Sequence, residues 1–153
     1  MANNFELAIT FTGLHEWRND PDGMYHCDPA DPGGETKYGI AKKSHPLVDI
    51  KNLTLEGALD IYRREYWVAN NLDSVVLPLC IAYFDSYVQH GAGTVKRLIQ
   101  QGGGDLRAFI EARRQFYKGL EIRNPEEVKF DGGWMNRCND LSKYCDIVMQ
   151  QEN

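Results

Sequence analysis

The chain reads as a mainly α-helical domain broken near its front by one large glycine- and proline-rich loop. Apolar residues return at helical spacing in six segments, whereas residues 17–39 hold three prolines and four glycines, too many for regular structure. No internal repeat and no linker divides the 153 residues, a length that suits one domain with a real core.

The first helix is predicted over residues ~4–16, where Phe5, Ala8, Ile9 and Phe11 share a face. The loop follows, with at most a small β-hairpin around Glu35–Ile40. Thr54 is a plausible N-cap for a second helix that carries Leu55, Ala58, Leu59, Tyr62 and Tyr66 on one side. Pro78 can open a third helix, with Gly91 as its C-terminal cap. A short helix over Thr94–Gln101 runs into three glycines. Asp105 caps the next, in which Leu106, Phe109, Ile110, Arg113, Phe116, Tyr117 and Leu120 follow the helical period. A last helix gathers Trp134, Met135, Cys138, Leu141, Cys145, Val148 and Met149.

Composition narrows the function. The formal net charge is −5, and no basic stripe exists to neutralise phosphates, so nucleic acid is not the expected partner. The longest apolar stretch, Val75–Tyr83, contains Pro78 and is far too short for a bilayer, so no membrane insertion is expected. The N-terminus lacks the basic patch and apolar run of a signal peptide, which points to synthesis in the cytosol. Cys27, Cys80, Cys138 and Cys145 have no regular spacing and read as free thiols in a reducing compartment, although pairing after export stays open. The four histidines make no metal-ligand pattern, and neither a metal nor any other cofactor is expected.

Glu16 is the first candidate for chemistry. It sits at the end of the first helix, where the negative end of the helix dipole disfavours a second negative charge, and Trp17 can desolvate it. Both effects favour a carboxyl that keeps its proton, as a general acid must. An ordinary solvated surface glutamate has the same local signature. The loop Asp28–Ile40 adds a carboxylate (Asp31), a hydroxyl (Thr36) and three glycines. An acid on a helix end facing an Asp and a Thr from a following loop is a glycosidase arrangement: the acid protonates the glycosidic oxygen, the second carboxylate activates water or stabilises the cationic centre, and Thr helps to hold the water. The competing reading is a surface loop in which Asp and Gly serve turn chemistry alone. Tyr38, Trp67, Asp85, Gln89 and His90 are candidate sugar contacts. For Trp67 the alternative is core, and for Asp85 and Gln89 a solvated stripe.

The ordered motifs Phe5, Ala8, Ile9, His15-Glu16, Asn19-Asp20-Pro21, Asp31-Pro-Gly-Gly34, Thr36 and Gly39-Ile40 resemble the signature of glycoside hydrolase family 108. Leu53-Thr-Leu-Glu-Gly-Ala58, Ile61-Tyr62, Tyr66-Trp67, Phe84-Asp85, Gln89-His-Gly91 and Trp134-Met-Asn136-Arg137 continue the resemblance along nearly the whole chain. The family's Glu is usually followed by Gly-Gly-Tyr, whereas Glu16 is followed by Trp-Arg. Aligned on Asp31 without a gap, that motif falls on Asp22-Gly-Met-Tyr25. Aligned on the helix it falls on Glu16, with an insertion of about six residues afterwards. Glu16 is favoured because an acid belongs at the fixed end of a rigid helix, and Asp22 is the alternative.

The resemblance implies a lysozyme-like fold and a muramidase of the phage-endolysin kind. Such an enzyme cuts the β-1,4 bond between N-acetylmuramic acid and N-acetylglucosamine in peptidoglycan, with Glu16, Asp31 and Thr36 as catalytic residues. It implies a single catalytic domain over residues 1–153 without a separate wall-binding module, and a monomer. It also implies an enzyme that waits in the host cytoplasm for a holin to open its path to the cell wall in the periplasm. A lytic transglycosylase on the same bond and a non-catalytic lysozyme-like structural or binding protein are the rival readings.

Overall fold

A computed structural model describes residues 2–30 and 33–152. Among them are six α-helices and one short antiparallel hairpin, the mainly helical class that the sequence predicts. The chain packs as two compact units, one ending at Asn71 and one beginning at Leu72.

In the first unit, helix α1 (Asn4–Trp17) opens with a capping box. The Asn3 side chain accepts from the Glu6 N–H at 2.8 Å, and the Glu6 carboxylate accepts from the Asn3 N–H at 3.0 Å. Its face of Phe5, Ala8, Ile9, Phe11 and Trp17 is buried. The helix ends where Arg18 turns left-handed and returns its N–H to the Gly13 carbonyl. Strands β1 (Thr36–Lys37) and β2 (Ile40–Ala41) form the hairpin, with Thr36 opposite Ala41 and Lys37 opposite Ile40. Helix α2 (Leu55–Tyr62) begins at the expected cap, since Thr54 Oγ1 accepts from the Gly57 N–H at 3.1 Å. It then widens into a π-helical stretch, Arg63–Val68, that the sequence gives no sign of. Trp67, fully buried, closes this core edge-on against Phe5 at 5.7 Å.

In the second unit, α3 (Leu79–Gln89) is the central helix: every residue from Cys80 to Tyr87 is buried. Helices α4 (Ala92–Gly102), α5 (Leu106–Arg123) and α6 (Asp131–Glu152) complete it. An expected boundary moves. Gly91 is the N-cap of α4 and not the C-terminal cap of α3, because the extended His90 already ends that helix. The last helix starts at Asp131, before Gly132 and Gly133, with the Asp131 carboxylate accepting from Lys118 Nζ at 2.6 Å. Asp105 caps α5 as expected, accepting from the Ala108 N–H at 2.9 Å.

Asp85 lies at the middle of this unit, with no exposed surface. Arg137 donates to it at 2.7 and 3.1 Å, and Arg113 at 2.8 Å. Burial alone would push the Asp85 carboxyl up, but the two guanidinium groups overcome this and hold it far below the usual carboxylate range. Cys80, Cys138 and Cys145 are buried free thiols nearby in the same unit, and Cys27 is an exposed one in the first.

Candidate functional site

The first unit builds its site where α1 meets the tip of the hairpin. Glu16 is half-buried one residue before the end of α1. The chain at the tip, Lys37-Tyr-Gly-Ile40, has φ of +52° at Tyr38 and +72° at Gly39, the two-residue turn whose twist suits a hairpin. Gly39 is required there twice over. A side chain would be strained at that φ, and its Cβ would land on the Tyr62 hydroxyl, 3.1 Å from Glu16 Cβ and 3.6 Å from Glu16 Oε2. The Glu16 side chain therefore faces the open side of Gly39, where any other residue would carry its Cβ.

Aromatic rings wall this junction. Trp17 is buried edge-on against Tyr38 (5.9 Å) and tilted against Tyr62 (5.6 Å), and Tyr66 follows at 5.8 Å from Tyr62. Burial raises the Tyr66 phenol above its ordinary value, with the Glu65 and Glu16 charges adding to it, so Tyr66 and Glu16 share one neighbourhood. The cavity beside Trp17, about 200 Å³, is lined by Ile9, Thr10, Trp17, Asn19, Asp20, Pro21, Leu55 and Leu59; Glu16 stands outside it.

Thr36, half-buried, is locked by its backbone on both sides. It pairs with Ala41 in the hairpin, and it exchanges two hydrogen bonds with His26, at 2.8 and 2.9 Å. Residues 23–26 thus run beside the hairpin, joined to it by the His26–Thr36 bridge and by the Tyr38 N–H donated to the Gly23 carbonyl, an ordered role for a segment expected to be irregular. Gly23 makes it possible, at φ +74° and with no side chain to strike the Tyr38 ring. Asp31 lies outside the described residues. Ahead of it, Asp28 Oδ1 accepts from the Ala30 N–H at 2.9 Å, which is turn chemistry.

Asp22, the alternative acid, is exposed in a turn, where its N–H donates to Asp20 Oδ1 at 2.9 Å. It has no rigid helix beneath it. Glu16 has one.

Three expected sugar contacts need correction. Tyr38 is 4% exposed, its ring under Gly23 and its hydroxyl donating to the Pro21 carbonyl at 2.6 Å. Trp67 and Asp85 are 0% exposed, one in aromatic packing and the other in the double ion pair, so neither can reach a glycan. Gln89 and His90 are half-buried in the second unit, where both hydrogen-bond the Tyr117 hydroxyl, at 3.2 and 3.1 Å. Burial, with the Arg113 charge behind it, pushes the His90 imidazole down to about 4.

Comparison with known proteins bears on the class. Residues 19–91 match the family model of glycosyl hydrolase 108. That stretch contains Asp22, Asp31, Thr36 and the hairpin; it begins just after Glu16. Glycoside hydrolysis is thus the chemistry attached to the matched residues, and the family resemblance seen in the motifs is borne out over them. A solved structure, that of SagA from Brucella abortus, is similar over 92% of each chain at 24% identity, with a TM-score of 0.68. At that identity the likeness carries the fold alone, and the mainly helical class expected from the sequence holds. Among curated proteins, none matches the chain.

Sequence reasoning missed Tyr62, which it assigned to a core stripe. Its ring is indeed buried, but its hydroxyl donates to the Tyr38 carbonyl at 2.8 Å, at the turn on which Glu16 rests. The available signal was chemical: a buried tyrosine must find a partner for its hydroxyl.

Proposed function

We propose that the chain is a muramidase that hydrolyses the β-1,4 bond between N-acetylmuramic acid and N-acetylglucosamine in peptidoglycan. Glu16 is the general acid that protonates the leaving oxygen. Asp31 is the second carboxylate or the group that orients water, and Thr36 helps to hold that water. The observation that carries this reading is the seating of the Glu16 carboxyl, at the end of a rigid helix, on the tip of the hairpin that begins at Thr36. A general acid works only when held at a fixed distance from the bond, and a helix terminus braced by a strand turn supplies that. No cofactor is needed, since the two carboxyls and water balance the reaction. The biological setting that fits is a monomeric phage endolysin, kept in the host cytoplasm and admitted to the wall by a holin.

Mass spectrometry of the muropeptides released from purified sacculi tests the reaction. Hydrolysis gives free reducing N-acetylmuramic acid ends. Products ending in 1,6-anhydro sugars would identify a lytic transglycosylase instead, and binding without any release would identify a non-catalytic protein.

A further inference from the structure

The junction under Glu16 contains a second tyrosine hydroxyl whose placement serves more than packing. Tyr38 is a bulky residue at φ +52°, a conformation that L side chains rarely adopt without reinforcement. Three hydrogen bonds reinforce it. Its N–H donates to the Gly23 carbonyl at 2.8 Å, its phenol to the Pro21 carbonyl at 2.6 Å, and its carbonyl accepts from the Tyr62 hydroxyl at 2.8 Å. The first two come from the loop after α1, and the third crosses from α2.

Tyr62 is itself fixed, 1% exposed and held between the tilted rings of Trp17 and Tyr66. Its hydroxyl and the Glu16 side chain both border the space that a Cβ at Gly39 would fill, so the acid and the hydroxyl that holds the turn face the same side of it. Because its proton is given to Tyr38, the phenol presents only acceptor capacity to its remaining surroundings.

We infer that Tyr62 is a positioning residue for the reaction: it holds the Tyr38–Gly39 peptide as a rigid floor beneath Glu16 and so fixes the reach of the acid toward the glycan. The inference rests on the reading of Glu16 as the acid. It assigns to Tyr62 a role in the chemical step and none in glycan affinity, since the ring touches no open surface.

Kinetics on soluble peptidoglycan glycan strands separate these possibilities. Tyr62→Phe keeps the ring and removes one hydroxyl. The expected result is a fall in kcat of about tenfold to a hundredfold with KM within about twofold, and an unchanged helical circular-dichroism spectrum. Gly39→Ala disturbs the same floor from the other side, by pressing on the Tyr62 hydroxyl and the Glu16 side chain, and is expected to show the same loss in kcat. Wild-type kcat in either variant, or a change confined to KM, overturns the inference. Glu16→Gln, assayed beside them, keeps the two readings apart. If it is inactive while Tyr62→Phe is normal, only the role of Tyr62 fails; if it is active, the assignment of the acid fails.

Discussion

Thr36 is held in place through its backbone. Its N–H and carbonyl are both bonded to His26, and its Cα faces Ala41, so its backbone position beside the hairpin turn is fixed. Thr36→Val keeps the β-branched shape that a strand favours and deletes the hydroxyl. If Thr36 helps to hold the attacking water, this variant loses about tenfold or more in turnover on peptidoglycan, with a melting temperature close to that of the wild type. Activity equal to wild type would remove Thr36 from the mechanism. The same scale explains why Asp22 is the weaker acid candidate. Asp22 is exposed on a turn, whereas Glu16 is half-buried at the end of a helix, its side chain facing Gly39.

Helix α1 is the element that carries Glu16, and its start is secured by the reciprocal Asn3–Glu6 cap. Asn3→Ala leaves the N-terminal donors uncapped and is expected to cost about 1 kcal/mol of stability, read as a lowered urea midpoint. Turnover per folded molecule should be unaffected, because the cap is at the far end of the helix from Glu16. Much at this scale was legible in sequence. The caps Thr54 and Asp105 stand directly before their helices, and the glycines and prolines of residues 17–39 mark the loop. Glu16 at a helix end was legible for the same reason. What escaped were pairings over long separations. The partners of Asp85 lie 28 and 52 residues away, so its i, i+4 spacing to Gln89 suggested a surface stripe that does not exist. The bridge from His26 to Thr36 escaped as well, since nothing local in the sequence announces it. The π-helical turn after Tyr62 has no spacing signature either. The charge pattern of the loop was legible, but Asp31, its most pointed candidate, lies outside the described residues.

At the scale of the whole molecule, stability is predicted to depend on pH through the second unit. His90 is pushed down to about 4, whereas the unfolded chain takes its proton near 6.5, the ordinary value. Between those values the unfolded state binds more protons, so stability should fall as pH drops from 6.5 toward 4. Asp85, held low by Arg137 and Arg113, adds a second loss below about pH 4, where unfolded carboxylates protonate. Urea titrations at pH 7, 5 and 4 should therefore show falling midpoints, and His90→Gln should flatten the upper part of that slope. Midpoints constant across this range would contradict the burial of His90. Arg137→Met leaves Asp85 half-paired in the core and is expected to cost about 3 kcal/mol or more, far beyond any surface ion pair.

The reading of the molecule as a glycosidase that works through the end of α1 comes down to one rate. Release of soluble muropeptides from purified sacculi can be measured for the wild type, Glu16→Gln and Asp22→Asn at equal folded concentration. A fall of about a hundredfold or more for Glu16→Gln, with Asp22→Asn near the wild-type rate, is the predicted result. Undiminished release by Glu16→Gln, or its loss in Asp22→Asn alone, would contradict it and place the acid on the exposed turn.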